Sequence, residues 1–146
     1  MLKVLVMVAA LTGSTIAASP QPPPSGEEAR AVSMIQLIAN PDRYEGRLVR
    51  LIGVAHFAME ESALYLHRED AETLNSNNAV WLGASPGLTE EEYKALSGAF
   101  VVVEGRFTAK AHGHLGAFPG ELESVRRLQR ISTRSDYNKQ RKQAPK

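Results

Sequence analysis

The chain has 146 residues, 43% hydrophobic, 23% charged and 6% aromatic, an ordinary globular composition that excludes collagen-like, coiled-coil and wholly disordered chains. With a leader and a linker expected at the N-terminus, roughly 100 residues remain to fold, room for one small domain and none for a two-domain enzyme. Seventeen basic residues face sixteen acidic ones, and the absence of cysteine excludes disulfides and a lipobox, so the domain must be stable on its core alone.

Met1 to Ala18 opens with Lys3, runs apolar from Val4 to Leu11 and closes on the small residues Ala17 and Ala18, the order of a secretory signal peptide. Its apolar run falls far short of the ~20 residues that cross a bilayer. No later segment replaces it, so the sequence predicts a periplasmic or secreted protein with no transmembrane segment. Residues 19–27, built on Ser19-Pro-Gln-Pro-Pro-Pro-Ser-Gly26, predict a stiff proline-rich linker. The folded domain is expected over 28–131. Within it Val32, Ile35, Leu37 and Ile38 recur at near-helical spacing behind Ser33, a capping residue, and predict a short helix over about 28–39. Proline disfavours helix in the residue before it, so the pattern stops at Asn40-Pro41, and Pro41 to Gly46 reads as a turn.

Leu48 to Phe57 predicts the first long strand, with Val49, Leu51, Gly53, Ala55 and Phe57 on one face and Leu48, Arg50, Ile52, Val54 and His56 on the other. Gly53 in mid-strand points to a bulge or a coil in the sheet. Ala63 to His67 and Ala79 to Leu82 predict the second and third strands, joined by the polar connection Arg68 to Asn78. Thr89 and Glu92 form a capping box for a helix ending at Gly98, which places the triple glutamate Glu90 to Glu92 at the positive helix end. Phe100 to Phe107 predicts a fourth strand, with Val101, Val103 and Phe107 facing one way and Glu104 and Arg106 the other. A loop of small residues, Ala109 to Gly120, follows. Leu122, Val125, Leu128 and Ile131 are spaced by threes, which fits a helix or a bulged strand; the expectation is a strand that frays into a basic, disordered tail over 132–146. Five strands with a helix between the third and fourth follow the order of an OB-fold, a partly open barrel, while periodicity alone supports a small α+β domain or a β-barrel.

The run Val32-Ser-Met-Ile-Gln-Leu-Ile-Ala-Asn-Pro-Asp-Arg-Tyr-Glu-Gly46, followed by Val49-Arg-Leu-Ile-Gly53, resembles the opening of a group of small, functionally uncharacterised bacterial proteins. The likeness continues through Ala63-Leu-Tyr-Leu-His-Arg-Glu-Asp70, Asn78-Ala-Val-Trp81, Val102-Val-Glu-Gly105 and Gly113-His-Leu-Gly116, covering about 32–128. More broadly the domain is similar to OB-fold modules of the tRNA-anticodon-binding type. That resemblance implies a fold class that is mainly β with α additions, a five-stranded OB-fold-like barrel with a short N-terminal helix and a helix between strands 3 and 4, together with a binding role; it implies no catalytic residue.

Alternation along the strands puts Tyr65, His67 and Trp81 on the outer sheet face if Leu64, Leu66, Val80 and Leu82 face the core. An aromatic patch there would offer contact area at low entropy cost. A roof from the N-terminal helix, or a register slip of one residue, would instead bury all three. His112 and His114 sit close together in the glycine-rich loop and, with His67 or Asp70, would make an N/O metal site suited to zinc or copper; without a third ligand fixed by spacing, no metal or cofactor is assigned. His114 hydrogen-bonded to backbone is the alternative. Asp70 and Glu104 are not fixed by spacing as an acid/base pair, and no nucleophile elbow is present, so no catalytic residue is assigned and the chain reads as a non-enzyme.

The charge balance hides an asymmetry: 27–125 carry eight basic and fifteen acidic residues, whereas 126–146 carry eight basic residues and Asp136 alone. The tail is expected to make weak contact with anionic surfaces. The leading expectation is an exported binding module for a macromolecule, a protein rather than nucleic acid, using Tyr65, His67, Trp81, His112 and His114. The alternatives are a small-ligand or metal-binding protein using the loop histidines and an immunity-type inhibitor of a secreted toxin.

Overall fold

The structure, a computed structural model, describes residues 26–83 and 88–143. The expected leader 1–18 and most of the linker lie outside the described residues. The fold is mainly β, a mixed six-stranded sheet with several helices. Among the described residues no helix is long and apolar enough to cross a membrane.

The predicted helix over 28–39 divides in two. Arg30–Ala31 forms β1, which pairs in parallel with Val49 and Arg50, and the helix α1 covers Met34–Ala39. Ser33 starts it with a complete capping box: its hydroxyl accepts from the Gln36 N–H at 3.1 Å while the Gln36 side chain accepts from the Ser33 N–H at 3.4 Å. Apolar periodicity extends N-terminal to the cap, but the residues before Ser33 hydrogen-bond to the sheet instead, Val32 through its N–H to Arg50. The expected turn from Pro41 is a one-turn helix, α2 (Pro41–Tyr44), because proline at the first position has no N–H to lose and its fixed φ suits a helix start.

β2 (Leu48–Ala58) is the spine of the sheet. Its first part pairs with β5 (Phe100–Thr108), its last part with β3 (Glu61–Tyr65), and Val54 pairs with both Phe100 and Tyr65. Gly53 precedes this handover because the strands close in there: a Cβ would lie 2.5 Å from the Tyr65 carbonyl oxygen and 2.8 Å from Leu64 Cγ. β3 pairs antiparallel with β4 (Ala79–Leu82), β4 in parallel with β6 (Glu121–Arg130), and β6 antiparallel with β5. The pairing therefore runs from β2 through β3, β4, β6 and β5 back to β2, with β1 added beside β2.

Between β3 and β4, where a loop is expected, Arg68–Glu72 forms α3 and Ser76–Asn78 a 3-10 turn. α4 (Glu90–Leu96) has the predicted box, with Thr89 accepting from the Glu92 N–H at 3.3 Å and Glu92 accepting from the Thr89 N–H at 2.8 Å. The tail expected to be disordered differs too: Arg134–Gln143 forms α5, started by Thr133 and Asp136, which accept each other's N–H at 3.2 and 2.9 Å. None of its residues is buried.

The main core fills the inner face, where Val49, Leu51, Leu64, Val80, Val101, Val103, Phe107 and Leu122 are fully enclosed, with Met34, Leu37 and Tyr44 closing it from the helices. A second, smaller cluster of Val54, Ala63, Tyr65, Ala79 and Phe118 lies on the opposite face of the same strands.

Candidate functional site

Trp81 stands in the middle of the outer face, opposite Ala63 on β3 and Glu121 on β6. Strand alternation sends it away from Val80 and Leu82, which face the main core. Part of its ring is fixed by the loop after β5. Gly113, at φ +61, brings bare backbone against the indole, where a Cβ would meet ring carbons at 2.6 Å, and the Phe118 ring packs edge-on at 5.3 Å. The tryptophan also lines a cleft of about 830 Å³ between the β2–β3 hairpin and α4.

The cleft has apolar walls and a carboxylate edge. Phe57 and Tyr93 pack edge-to-face at 4.9 Å on one side, and Leu82 and Trp81 form another. Met59, at the hairpin tip, is fully exposed. Three carboxylates line the cleft, Glu61, Glu90 and Glu121. Glu90 is neutralised by Lys94 at 2.6 Å, and Glu61 accepts a short hydrogen bond from the Tyr65 hydroxyl. Glu121 lies over Gly83, where a Cβ would sit 2.9 Å from its Oε1. Burial, with the charge of Glu123 adding to it, raises the Glu121 carboxyl above the ordinary carboxylate range. A ligand with an apolar body and a positive charge fits such a surface, since the walls bury the body and a cation keeps Glu121 ionised.

The residues singled out from sequence fall into three places. Trp81 is in the cleft. Tyr65 has the expected phase, but it is only 1% exposed, because Phe118 covers it and burial has driven its hydroxyl onto Glu61; the open aromatic patch expected with Tyr65 is therefore corrected to a second core. Burial first, and then that hydrogen bond, push the Tyr65 phenol up. The roof is the 109–120 loop, not the N-terminal helix. His67 is exposed and caps α3, its N–H donating to Asp70 Oδ2 at 3.2 Å. Asp70 also accepts from Asn75 and Asn78 at 3.0 and 2.9 Å, and the Asn78 amide, against some burial, leads in holding its carboxyl below the usual range. Asp70 thus organises the β3–β4 connection. His112 and His114 are exposed, and it is His112, not His114, that meets backbone, through Nδ1 at 2.9 Å from the Phe118 carbonyl. No group of three or more His, Asp or Glu that could hold a metal lies among the described residues.

Phe57, Met59, Tyr93 and Glu121 were not singled out from sequence. They come from three separate elements, and the one available signal was the aromatic end of β2 meeting the amphipathic α4. These elements define a mainly β domain with an apolar, acid-edged cleft beside its sheet. No protein-family model matches the chain, and no curated protein matches it significantly. Among solved structures, it is similar to a DUF3299 family protein from Pseudomonas aeruginosa PAO1, solved by crystallography at 2.45 Å resolution. The two share 10% identity and a TM-score of 0.49, over 73% of this chain and 99% of that one.

Proposed function

We propose that the chain is an exported, non-catalytic binding module of OB type, kin to the uncharacterised bacterial group its motifs resemble, which takes up a segment of another protein in the Trp81 cleft. The barrel reading is supported by the return of the strand pairing to β2, the parallel β4–β6 contact, and α4 between the third and fourth strands of that ring. Export is supported by the order of charged, apolar and small residues in 1–18. The observation that carries the function is the cleft itself, with aromatic walls at Phe57, Trp81 and Tyr93 and carboxylates at Glu61 and Glu121. Charge complementarity selects a segment in which a Lys or Arg adjoins apolar residues.

An array of basic-apolar, acidic-apolar and polar peptides tests this, probed with the full chain and with Met59→Arg. Met59 is fully exposed, so the substitution leaves the fold in place while adding a positive charge at the rim. The wild-type chain is expected to retain basic-apolar peptides and the variant to lose them by ~1–2 kcal/mol. Equal retention by both chains, or preference for acidic peptides, removes the cleft as the site. Binding is also expected to weaken as pH falls through the raised Glu121 range, because the protonated carboxyl no longer attracts a cation.

A further inference from the structure

On the far side of β2 from the main core, Arg50 on β2 stands opposite Glu104 on β5, and Glu104 stands opposite Arg127 on β6. Arg50 Nε donates to Glu104 Oε1 at 2.7 Å and Arg127 Nη1 to the same oxygen at 3.2 Å. Arg126 Nε donates to Oε2 at 3.1 Å. Consecutive strand residues ordinarily point to opposite faces, so Arg126 and Arg127 should not reach one carboxylate. A bulge explains it. Glu104 to Arg106 on β5 faces Glu123 to Arg127 on β6, and the extra β6 residues turn through Ser124 at φ +48. The irregularity brings a third guanidinium onto a carboxylate that two in-register arginines already satisfy.

Three guanidiniums against one carboxylate leave a surplus of two positive charges. Glu104 is enclosed, its side chain 7% exposed, whereas Arg50, Arg126 and Arg127 are 37, 36 and 42% exposed. The arginines are thus anchored on their inner edge and open to solvent on the other, and the Nη groups of Arg50 have no acceptor among the described residues. Beside them Arg106 pairs with Glu27 at 2.7 Å, Arg126 Nη1 donates to the Glu27 carbonyl at 2.9 Å, and Arg127 Nε donates to Gln129 Oε1 at 2.9 Å. Guanidiniums held in a fixed arrangement suit an oxyanion that accepts several hydrogen bonds, and a surplus of two charges suits a dianion over a monoanion.

We propose that Arg50, Arg126 and Arg127, positioned by Glu104, form a site for a phosphomonoester-type dianion. The site is separate from the Trp81 cleft and stands whether or not that cleft binds a peptide.

The experiment is a titration of the full ¹⁵N-labelled chain with inorganic phosphate at pH 8, following the arginine Nε–Hε signals, with sodium chloride at matched ionic strength as control. Saturable shifts of Arg50, Arg126 and Arg127 that chloride does not produce are expected. Arg127→Gln, at an exposed position, should weaken phosphate binding about tenfold with the remaining spectrum unchanged. Glu104→Gln separates a built site from a charged patch. It raises the surplus to three, so a patch would bind phosphate more tightly, while a site that needs Glu104 for geometry binds it more weakly; the proposal requires the latter. Vesicles carrying phosphatidic acid, compared with phosphatidylglycerol and neutral lipid, divide the sources. Sedimentation with phosphatidic acid alone assigns a lipid headgroup, and phosphate binding without sedimentation assigns a soluble phosphomonoester. Shifts matched by chloride, or tight binding of single-stranded DNA without binding of phosphate, would overturn it.

Discussion

Inside the sheet, strands β2 to β6 all contribute to one continuous layer, and Leu64, Val80, Val103 and Leu122 are enclosed by side chains from several strands at once. On the opposite face, Val54, Ala63, Tyr65 and Ala79 make a thin layer whose cover is Phe118 from a loop. The two layers share the same strands, so chain neighbours such as Leu64 and Tyr65, or Val80 and Trp81, belong to different layers. Alternation therefore decides to which layer a residue belongs, while a distant segment decides whether the outer layer meets water. Trp81 stands at the edge of that cover, which is how an outward tryptophan comes to be both fixed and available.

Truncation across the two layers separates them, and the inner one should respond most. Leu64→Ala opens a cavity with no route for collapse and is expected to cost ~2–5 kcal/mol in urea unfolding. Phe118→Ala lifts the outer cover only and should cost less, about 1–3 kcal/mol, with a red shift in the emission of the sole tryptophan. A Phe118→Ala cost equal to that of Leu64→Ala would break the distinction. A third test concerns Glu104 on the arginine-bearing side. Burial raises its carboxyl, but hydrogen bonds from Arg50, Arg126 and Arg127 outweigh it, so it titrates below its ordinary value of 4.5. Its contribution to stability is thus present above pH 4.5 and is lost as pH falls through the lowered value of the folded state. Glu104→Gln should flatten the acid limb of the stability profile, and an unchanged limb would show that the arginines do not stabilise the carboxylate. The smallest effect is expected at Lys94→Ala, which removes an exposed i,i+4 pair with Glu90 worth under about 0.5 kcal/mol.

Much of the framework is legible in the sequence because it rests on local chemistry. The capping boxes at Ser33 and Thr89 and the alternation in 48–57, 79–82 and 100–107 each depend on residues close in the chain. The six-residue α1 falls short of its apolar pattern because hydrogen bonds to β2 compete for the residues before Ser33. The site is less legible. Trp81 could be placed by alternation, but the burial of Tyr65 depends on Phe118, which lies more than fifty residues away in the chain. Arg50, Glu104 and Arg127 share one row only once the register is known, and Arg126 joins them through an irregularity that no period predicts.

The contact between β4 and β6 has a consequence for how the molecule assembles. Seven paired positions join β2 to β5, yet only Trp81 with Glu121 and Leu82 with Leu122 join β4 to β6, and these partners lie forty residues apart in the chain. A closure with so few rungs gains little until its neighbours are ordered, so this seam is expected to form after the seven-rung β2–β5 pairing and to exchange its amides before it. Trp81 sits on the seam, and its fluorescence should therefore report this late closure and not the initial collapse.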